Sequence, residues 1–325
     1  MTDIGLEAHY KRDFLVLEAD YFHKRTKDIL ARPALQAPSV LGASLPDFNN
    51  AIVDNSGWEI QLEHNNHIGK LGIHIGVNVS FNSNKIVSYP ESQSTPAWQK
   101  ITGTSVANLF SGYPFLGYLS QGLYQTAQEV SSGPTPLFST VAPGDIRYKD
   151  LDKDGAITAN DQTIIGKHLF PAIQYGVNFG VHYAGWECNV LLQGSGNVQG
   201  YNSAISYGSL VAGVQELNHW TPQNTSAPFP RLWVNYQNNY QSSDYWMENS
   251  AYIRLKNIEL AYTLPLRLLQ RSGMKSIRLA LSGNNLLTFS HLKYYDPEGF
   301  NGQINSYYVT NPLMKSFTAG ATLQF

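Results

Sequence analysis

From Asp150 the chain reads Asp150-Leu151-Asp152-Lys153-Asp154-Gly155-Ala156-Ile157-Thr158-Ala159-Asn160-Asp161, with carboxylates at alternate positions leading into a glycine. That spacing is the chemistry of a calcium loop. Calcium takes about six to eight hard oxygens, and a twelve-residue EF-type loop presents them around a glycine turn. The donors expected here are Asp150, Asp152, Asp154, the Ala156 carbonyl, Thr158 directly or through water, and Asp161. Asp161 stands where a longer glutamate usually binds with both oxygens, so the site should be weak or altered in geometry. The plain alternative is a hydrogen-bonded Asp/Gly turn without metal.

Other residues with chemical potential form no catalytic set. His64 and His67 have H-x-x-H spacing beside an expected turn but lack a third ligand, and solvated turn histidines account for them. Gly194-Ser195-Gly196-Asn197-Val198-Gln199-Gly200 lacks the lysine and following helix of a phosphate loop. No serine, cysteine or histidine arrangement and no glutamate pair has a spacing that argues for hydrolysis, so an enzyme is not expected. Aromatic rings are a different matter. Trp98, Trp220, Trp233, Tyr236, Tyr240, Tyr245 and Trp246 fall in long connections where flat faces can stack on a sugar or clamp a partner. Loop packing explains most of them, with a minority expected on ligand; Trp98, Trp220, Trp233, Tyr236, Tyr245 and Trp246 are the candidates.

The elements that position these residues are strands. Leu71, Ile73, Ile75, Val77, Val79 and Phe81 alternate with Gly72, His74, Gly76, Asn78 and Ser80, which is a half-apolar strand. The same period of two runs through Ile173 to Tyr183 and through Phe317, Ala319, Ala321, Leu323 and Phe325. Weaker copies occupy Ile4 to Tyr10, Leu15 to Tyr21, Trp58 to His64, Trp186 to Leu192, Tyr252 to Leu264 and Ile277 to Leu287. Each of these nine is near the ~9–11 residues that a tilted strand needs to cross a bilayer.

Short connections alternate with long ones. In outer-membrane barrels short turns lie in the periplasm and long loops outside. On that rule Lys27 to Gly57, Asn82 to Ala172, Ser195 to Ala251 and Ser290 to Leu313 are extracellular, and Phe325 ends in the periplasm. Parity also decides Phe115 to Thr126, which has strand character but belongs to the loop region 82–172, because one extra crossing would invert every later strand. Tyr183 and Trp186 flank a short turn and suit the aromatic girdle at the membrane boundary. Nine is odd, while bacterial single-chain barrels have even counts, so the barrel is expected to be incomplete.

Bulk properties agree. Hydrophobic residues make up 42% and aromatics 12% of 325 residues, yet mean hydropathy is −0.26, as a wall with lipid outside and water inside requires. No apolar run is long enough for a spanning helix. The formal charge of −2, from 22 basic and 24 acidic residues, with no basic cluster, argues against nucleic acid. One cysteine, Cys188, excludes an internal disulfide framework. Met1 to Gly5 show neither a basic n-region nor an apolar h-region, so a membrane-bound reading expects a fragment whose signal lies upstream.

Pro143-Gly144-Asp145-Ile146-Arg147-Tyr148-Lys149-Asp150-Leu151-Asp152-Lys153-Asp154-Gly155 resembles the loop that precedes the late barrel strands of the SusC/RagA family. Asp161 to Gly166, Tyr175 to Phe179 and Leu191 to Gly194 are similar to family segments in the same order. Tyr252 to Ile258 and Ser282 to Thr288 resemble its C-terminal signatures. The resemblance covers residues 1–325 and implies an all-β fold: the C-terminal part of a large, plugged, antiparallel transmembrane β-barrel in the outer membrane. It further implies uptake of an oligosaccharide or peptide with a SusD-like surface lipoprotein. Energy would come from TonB acting on an N-terminal part which, like the plug, lies outside this sequence. The rival reading is a soluble calcium-dependent carbohydrate-binding β-sandwich, whose outer strand faces would be polar instead of lipid-compatible.

Overall fold

The computed structural model describes residues 1–31, 46–110, 113–136, 138–166, 168–202, 217–232, 237–265, 267, 273–300 and 313–325. Its main feature is one antiparallel sheet of nine strands. In order these are β1 (Thr2–Tyr10), β2 (Leu15–Ala31), β3 (Phe48–Ile68), β4 (Leu71–Ser88), β13 (Ile173–Tyr183), β14 (Trp186–Gly196), β17 (Tyr252–Thr263), β18 (Ser276–Ser290) and β19 (Ser316–Gln324). Each pairs with the next wall strand along the chain, so the wall is an up-and-down meander. These are the nine strands the alternation predicts. The sheet is not closed: β1 and β19 each have a neighbour on one side only among the described residues.

The alternation becomes two faces through the register. His64, Ile75, Phe179, Val190, Ile258, Gly283 and Phe317 lie in one row across seven strands. Leu62, Val77, Val177 and Leu192 lie in another. Both rows are predominantly apolar and form the outer face. Exposed Leu260, Leu279, Leu281 and Leu323 continue it. The opposite face carries Glu18, Asp20, Glu59, Gln61, Asn78 and Ser80, which line a common hollow. A one-residue slip would put those carboxylates in lipid, so the register is fixed by burial of the apolar set.

Three strands run further than their apolar alternation suggests. β2 continues to Ala31, β3 starts at Phe48 and β4 ends at Ser88. This shortens the expected loops from Lys27 to Gly57 and from Asn82. Lys24 to Asp28 and Asn82 to Lys85, within the added stretches, are polar because both of their faces lie beyond the hydrocarbon, where no alternation is required.

The hydrophobic core is not in this wall. It gathers in a cap over the loop end, where Phe115, Tyr118, Ile146, Tyr148, Ile157, Ile165, Leu169, Tyr201 and Trp246 are all buried together. Short ladders build it: β5 (Leu109–Phe110) with β6 (Tyr113–Pro114), β7 (Leu116–Tyr118) with β12 (Gln162–Ile164), β8 (Ser120–Leu123) with β10 (Ile146–Tyr148), β9 (Thr135–Pro136) with β11 (Ala156–Ile157), and β15 (Gln199–Tyr201) with β16 (Met247–Asn249). Thus β7 and β8, within the ambiguous Phe115 to Thr126 stretch, pair inside the cap and not with the wall. No described helix is long and apolar enough to cross a membrane.

Candidate functional site: the cap and its acidic turn

Asp150, Asp152 and Asp154 each bring a carboxylate oxygen within 4.8 Å of the others. The local sequence causes this. Lys153, at φ 62, and Gly155, at φ 86, turn the backbone back on itself, and each aspartate is held by amides of the same turn. Asp150 accepts from Lys153 N at 2.6 Å and Gly155 N at 2.9 Å, and Asp154 accepts from Ala156 N at 2.8 Å. Desolvation would raise Asp150, but the Gly155 and Lys153 amides outweigh it and hold its carboxyl below the ordinary range. Asp152 goes the other way: desolvation raises it, and the charges of Asp161, Asp154 and Asp150 add to the shift. A cation would relieve this crowding.

Asp161 is used differently. It is wholly buried and accepts from Leu151 N at 2.6 Å and Thr158 N at 2.8 Å, closing a capping box with Thr158 over the turn Ala159–Asp161. The Thr158 hydroxyl accepts from Asn160 N at 3.1 Å. Ala156 begins β11 and donates its amide to Asp154. The structure therefore gathers the first three carboxylates and gives Asp161 the task of fastening both ends of the loop.

The aromatic candidates separate by exposure. Trp98 is 36% exposed, and its indole N–H donates to the Asn160 carbonyl at 2.8 Å. Gln99 donates to Ala159 O at 2.8 Å, so the strand-to-cap connection is riveted to the end of the acidic loop. Trp220 is buried; its ring lies on Gly144, where any Cβ would meet it at 2.4 Å, and Nε1 donates to Gln125 Oε1 at 3.1 Å. Trp246 is 2% exposed, donates to Asn239 O and sits in the core, where it offers no face to a ligand. Tyr245 packs edge-on to Trp246 and donates to Pro228 O at 2.5 Å, and burial pushes its phenol well up. Trp233 and Tyr236 lie outside the described residues.

Two polar seams carry more structure than sequence reading assigns them. Asp145, fully buried, accepts from Arg231 Nε at 2.7 Å and Nη2 at 2.9 Å, from Asn239 Nδ2 at 3.0 Å and from Ala142 N at 2.8 Å. Asn239 and Asn238 in turn bond both backbone groups of Ile146. This seam sews the β4–β13 connection to the β14–β17 connection. The second seam centres on Arg254, 2% exposed in β17. It donates to Thr288 Oγ1 at 2.9 Å, to Glu298 Oε2 at 2.8 Å, and to both oxygens of Asp296 at 2.8 and 2.7 Å. Lys256 adds 2.9 Å to Glu298. The signal was present in the sequence: an arginine on the polar face of a wall strand, and a Asp296-Pro297-Glu298 run just after the next strand.

A nine-stranded sheet, apolar on one face and polar on the other, with the core gathered in a cap at one end, defines the wall of an outer-membrane β-barrel. No family model matches the chain. Related sequences narrow the class. The chain is 28% identical to TonB-dependent receptor P3 of Formosa agariphila across 99% of its own length and 34% of the relative's. It is 25% identical to TonB-dependent receptor P26 of the same organism across 92% and 31%, and 23% identical to TonB-dependent receptor SusC of Bacteroides thetaiotaomicron across 99% and 31%. The RagAB peptide transporter superposes at a TM-score of 0.71, with 22% identity over 99% of this chain and 35% of that one. The chain is SusC/RagA-like along nearly its whole length, and it spans about a third of the length of these relatives.

Proposed function

We propose that this chain supplies part of the wall and the outer mouth of a TonB-dependent importer that takes up an oligosaccharide or a peptide together with a SusD-like lipoprotein. The observation that carries this reading is the two-faced nine-stranded sheet topped by a loop cap at one end among the described residues. The cap end faces outside, since short turns belong to the periplasm and long loops to the exterior. TonB would act on the part of the transporter beyond this chain. A soluble sandwich is not favoured, because among the described residues no second sheet covers the apolar face. The test is uptake of labelled glycans and labelled peptides by cells that carry or lack the full-length gene, with and without an energised TonB. Uptake of neither class, or uptake independent of TonB, overturns the assignment.

The acidic turn is the proposed calcium site of that mouth, structural and not catalytic. Three converging carboxylates support it, as does the bond from Trp98 to Asn160 that links the loop to its surroundings. Affinity is expected at about 10⁻⁴–10⁻³ M, the range of extracellular modules. Asp152→Asn with Asp154→Asn should abolish calcium-dependent protection of the cap from protease while leaving barrel assembly intact. Calorimetry on the intact transporter that detects no calcium at millimolar concentration removes the metal and leaves a turn.

A further inference from the structure

The outer face of β2, β3 and β4 changes chemistry in ordered rows toward the cap end. Tyr21, Trp58 and Phe81 stand in one cross-strand row, with Trp58 and Phe81 stacked at 6.0 Å. Such rows mark the edge of the hydrocarbon, where aromatic rings have one side in lipid and one in headgroups. The next outward row is His23, Ser56 and Ser83, and the one beyond it is Arg25, Asp54 and Lys85. Four residues advance about 13 Å along a strand, and tilt reduces that to about 10 Å of height. The last row therefore lies at headgroup depth.

The side on which these residues stand is settled by their neighbours. Phe22 lies against Gly57 on the inner face, Asn84 accepts from Ser105 and Val106 of the cap, and Ile86 is buried beneath it. Tyr21, Arg25, Trp58, Ser83 and Lys85 alternate with these and face out. Arg25 donates to both oxygens of Asp54 at 2.6 Å through Nε and Nη2. Nη1 and the Lys85 ammonium have no partner among the described residues. Asp54 thus holds the Arg25 guanidinium in place, and one carboxylate stands in a row with two cations, so the charge of the row is not cancelled.

We infer that His23, Arg25 and Lys85 form a site on the outer barrel surface for the phosphate of an outer-leaflet lipid headgroup. Arg25 offers its free fork edge and Lys85 a point charge, the two ways side chains usually take phosphate. The aromatic row below would lie along the acyl chains of the same lipid. The inference rests on the cap end facing outward in a membrane, and its test is arranged to fail separately from that reading.

Full-length transporter is reconstituted into phosphatidylcholine nanodiscs with a minor fraction of phosphatidic acid, and retained lipid is read by native mass spectrometry. The wild type should retain phosphatidic acid preferentially. Arg25→Gln with Lys85→Gln should reduce that retention by about five-fold for each cation removed, whereas Lys70→Gln at the turn end should not. Asp54→Asn, which removes the competing anion, should leave retention equal or higher, a result that misfolding cannot imitate. Raising salt from about 0.05 to about 0.5 M should weaken retention. Heat-modifiable mobility of each sample reports whether the barrel is intact, so uptake and barrel assembly stand or fall on their own. Equal retention by wild type and double variant overturns the site. Displacement of the lipid by millimolar inorganic phosphate overturns the lipid as its occupant.

Discussion

At Arg254 a full positive charge is buried on the inner side of the barrel mouth, and its two carboxylate partners come from the turn after β18. Asp296 also accepts from Glu298 N at 3.0 Å and Leu313 N at 3.3 Å, so one guanidinium secures both the outgoing and the returning arm of the β18–β19 connection. Burial would raise the Asp296 carboxyl, but Arg254 outweighs it and the net position is below the ordinary value. A depressed carboxylate gives stability above its unfolded pKa and loses it only as pH falls through the lower folded value, so the anchor should hold down to about pH 4. Arg254→Met leaves the largely buried Asp296 side chain without its cation, Lys256 remaining on Glu298, at a cost of about 3–5 kcal/mol. Hydrogen exchange at the Glu298 and Leu313 amides should accelerate by about two orders of magnitude or more; unchanged exchange would show that Lys256 and the backbone suffice. Glu248 carries the opposite sign. Desolvation raises it and the bond from Asn202, 2.7 Å, only partly offsets this. Its contribution is therefore fully present below the unfolded value and is lost as pH rises through the folded one. Glu248→Gln keeps the Asn202 bond, and the variant cap should resist protease better than wild type at pH 7.5, with the advantage vanishing toward pH 4.5. A wild type equally resistant at both pH values would contradict this.

The strands are where sequence and structure agree most closely. Alternation at Leu71 to Phe81 or Ile173 to Tyr183 is legible because a wall strand must satisfy lipid and water at once, and only a period of two does so. The upper parts of β2, β3 and β4 were illegible for the converse reason: at Lys24 to Asp28 or Asn82 to Lys85 both faces are polar, and the pattern carries no contrast. The cap was legible only as a region. Its strands are two to four residues long, and partners such as Asp145 and Arg231, or Trp98 and Asn160, are brought together by packing that no local spacing announces. Of the acidic turn, the clustering of Asp150, Asp152 and Asp154 followed from spacing, while Asp161 as a buried cap did not, since an aspartate that caps and one that ligates have the same sequence signature. The face assignment has a direct test. Arg placed at Ile75 or Leu323, on the apolar face, should impair membrane assembly by about 2–4 kcal/mol near the midplane. Arg at Asn78 or Thr322, on the inner face of the same two strands, should be tolerated, and equal damage from both sets would mean that the faces are misassigned.

At the scale of the molecule, β1 and β19 each present an edge with no partner strand among the described residues, and every described side chain in both is exposed. Unpaired backbone cannot persist in hydrocarbon, and exposed edges of this length recruit other strands. These 325 residues produced alone should aggregate, while the full-length transporter should migrate as a heat-modifiable barrel; a monomeric, cooperatively folding product from the isolated chain would revive the sandwich. The cap adds a constraint of another kind. Its core draws Tyr118, Ile146 and Ile165 from the connection between β4 and β13, and Tyr201 and Trp246 from the one between β14 and β17, while the Asp145–Arg231 pair joins the same two connections. Neither connection can complete this core before its flanking hairpin has crossed the bilayer. Biogenesis must therefore carry both long segments across the membrane before either is fully ordered, and until the second arrives the first should stay open to protease.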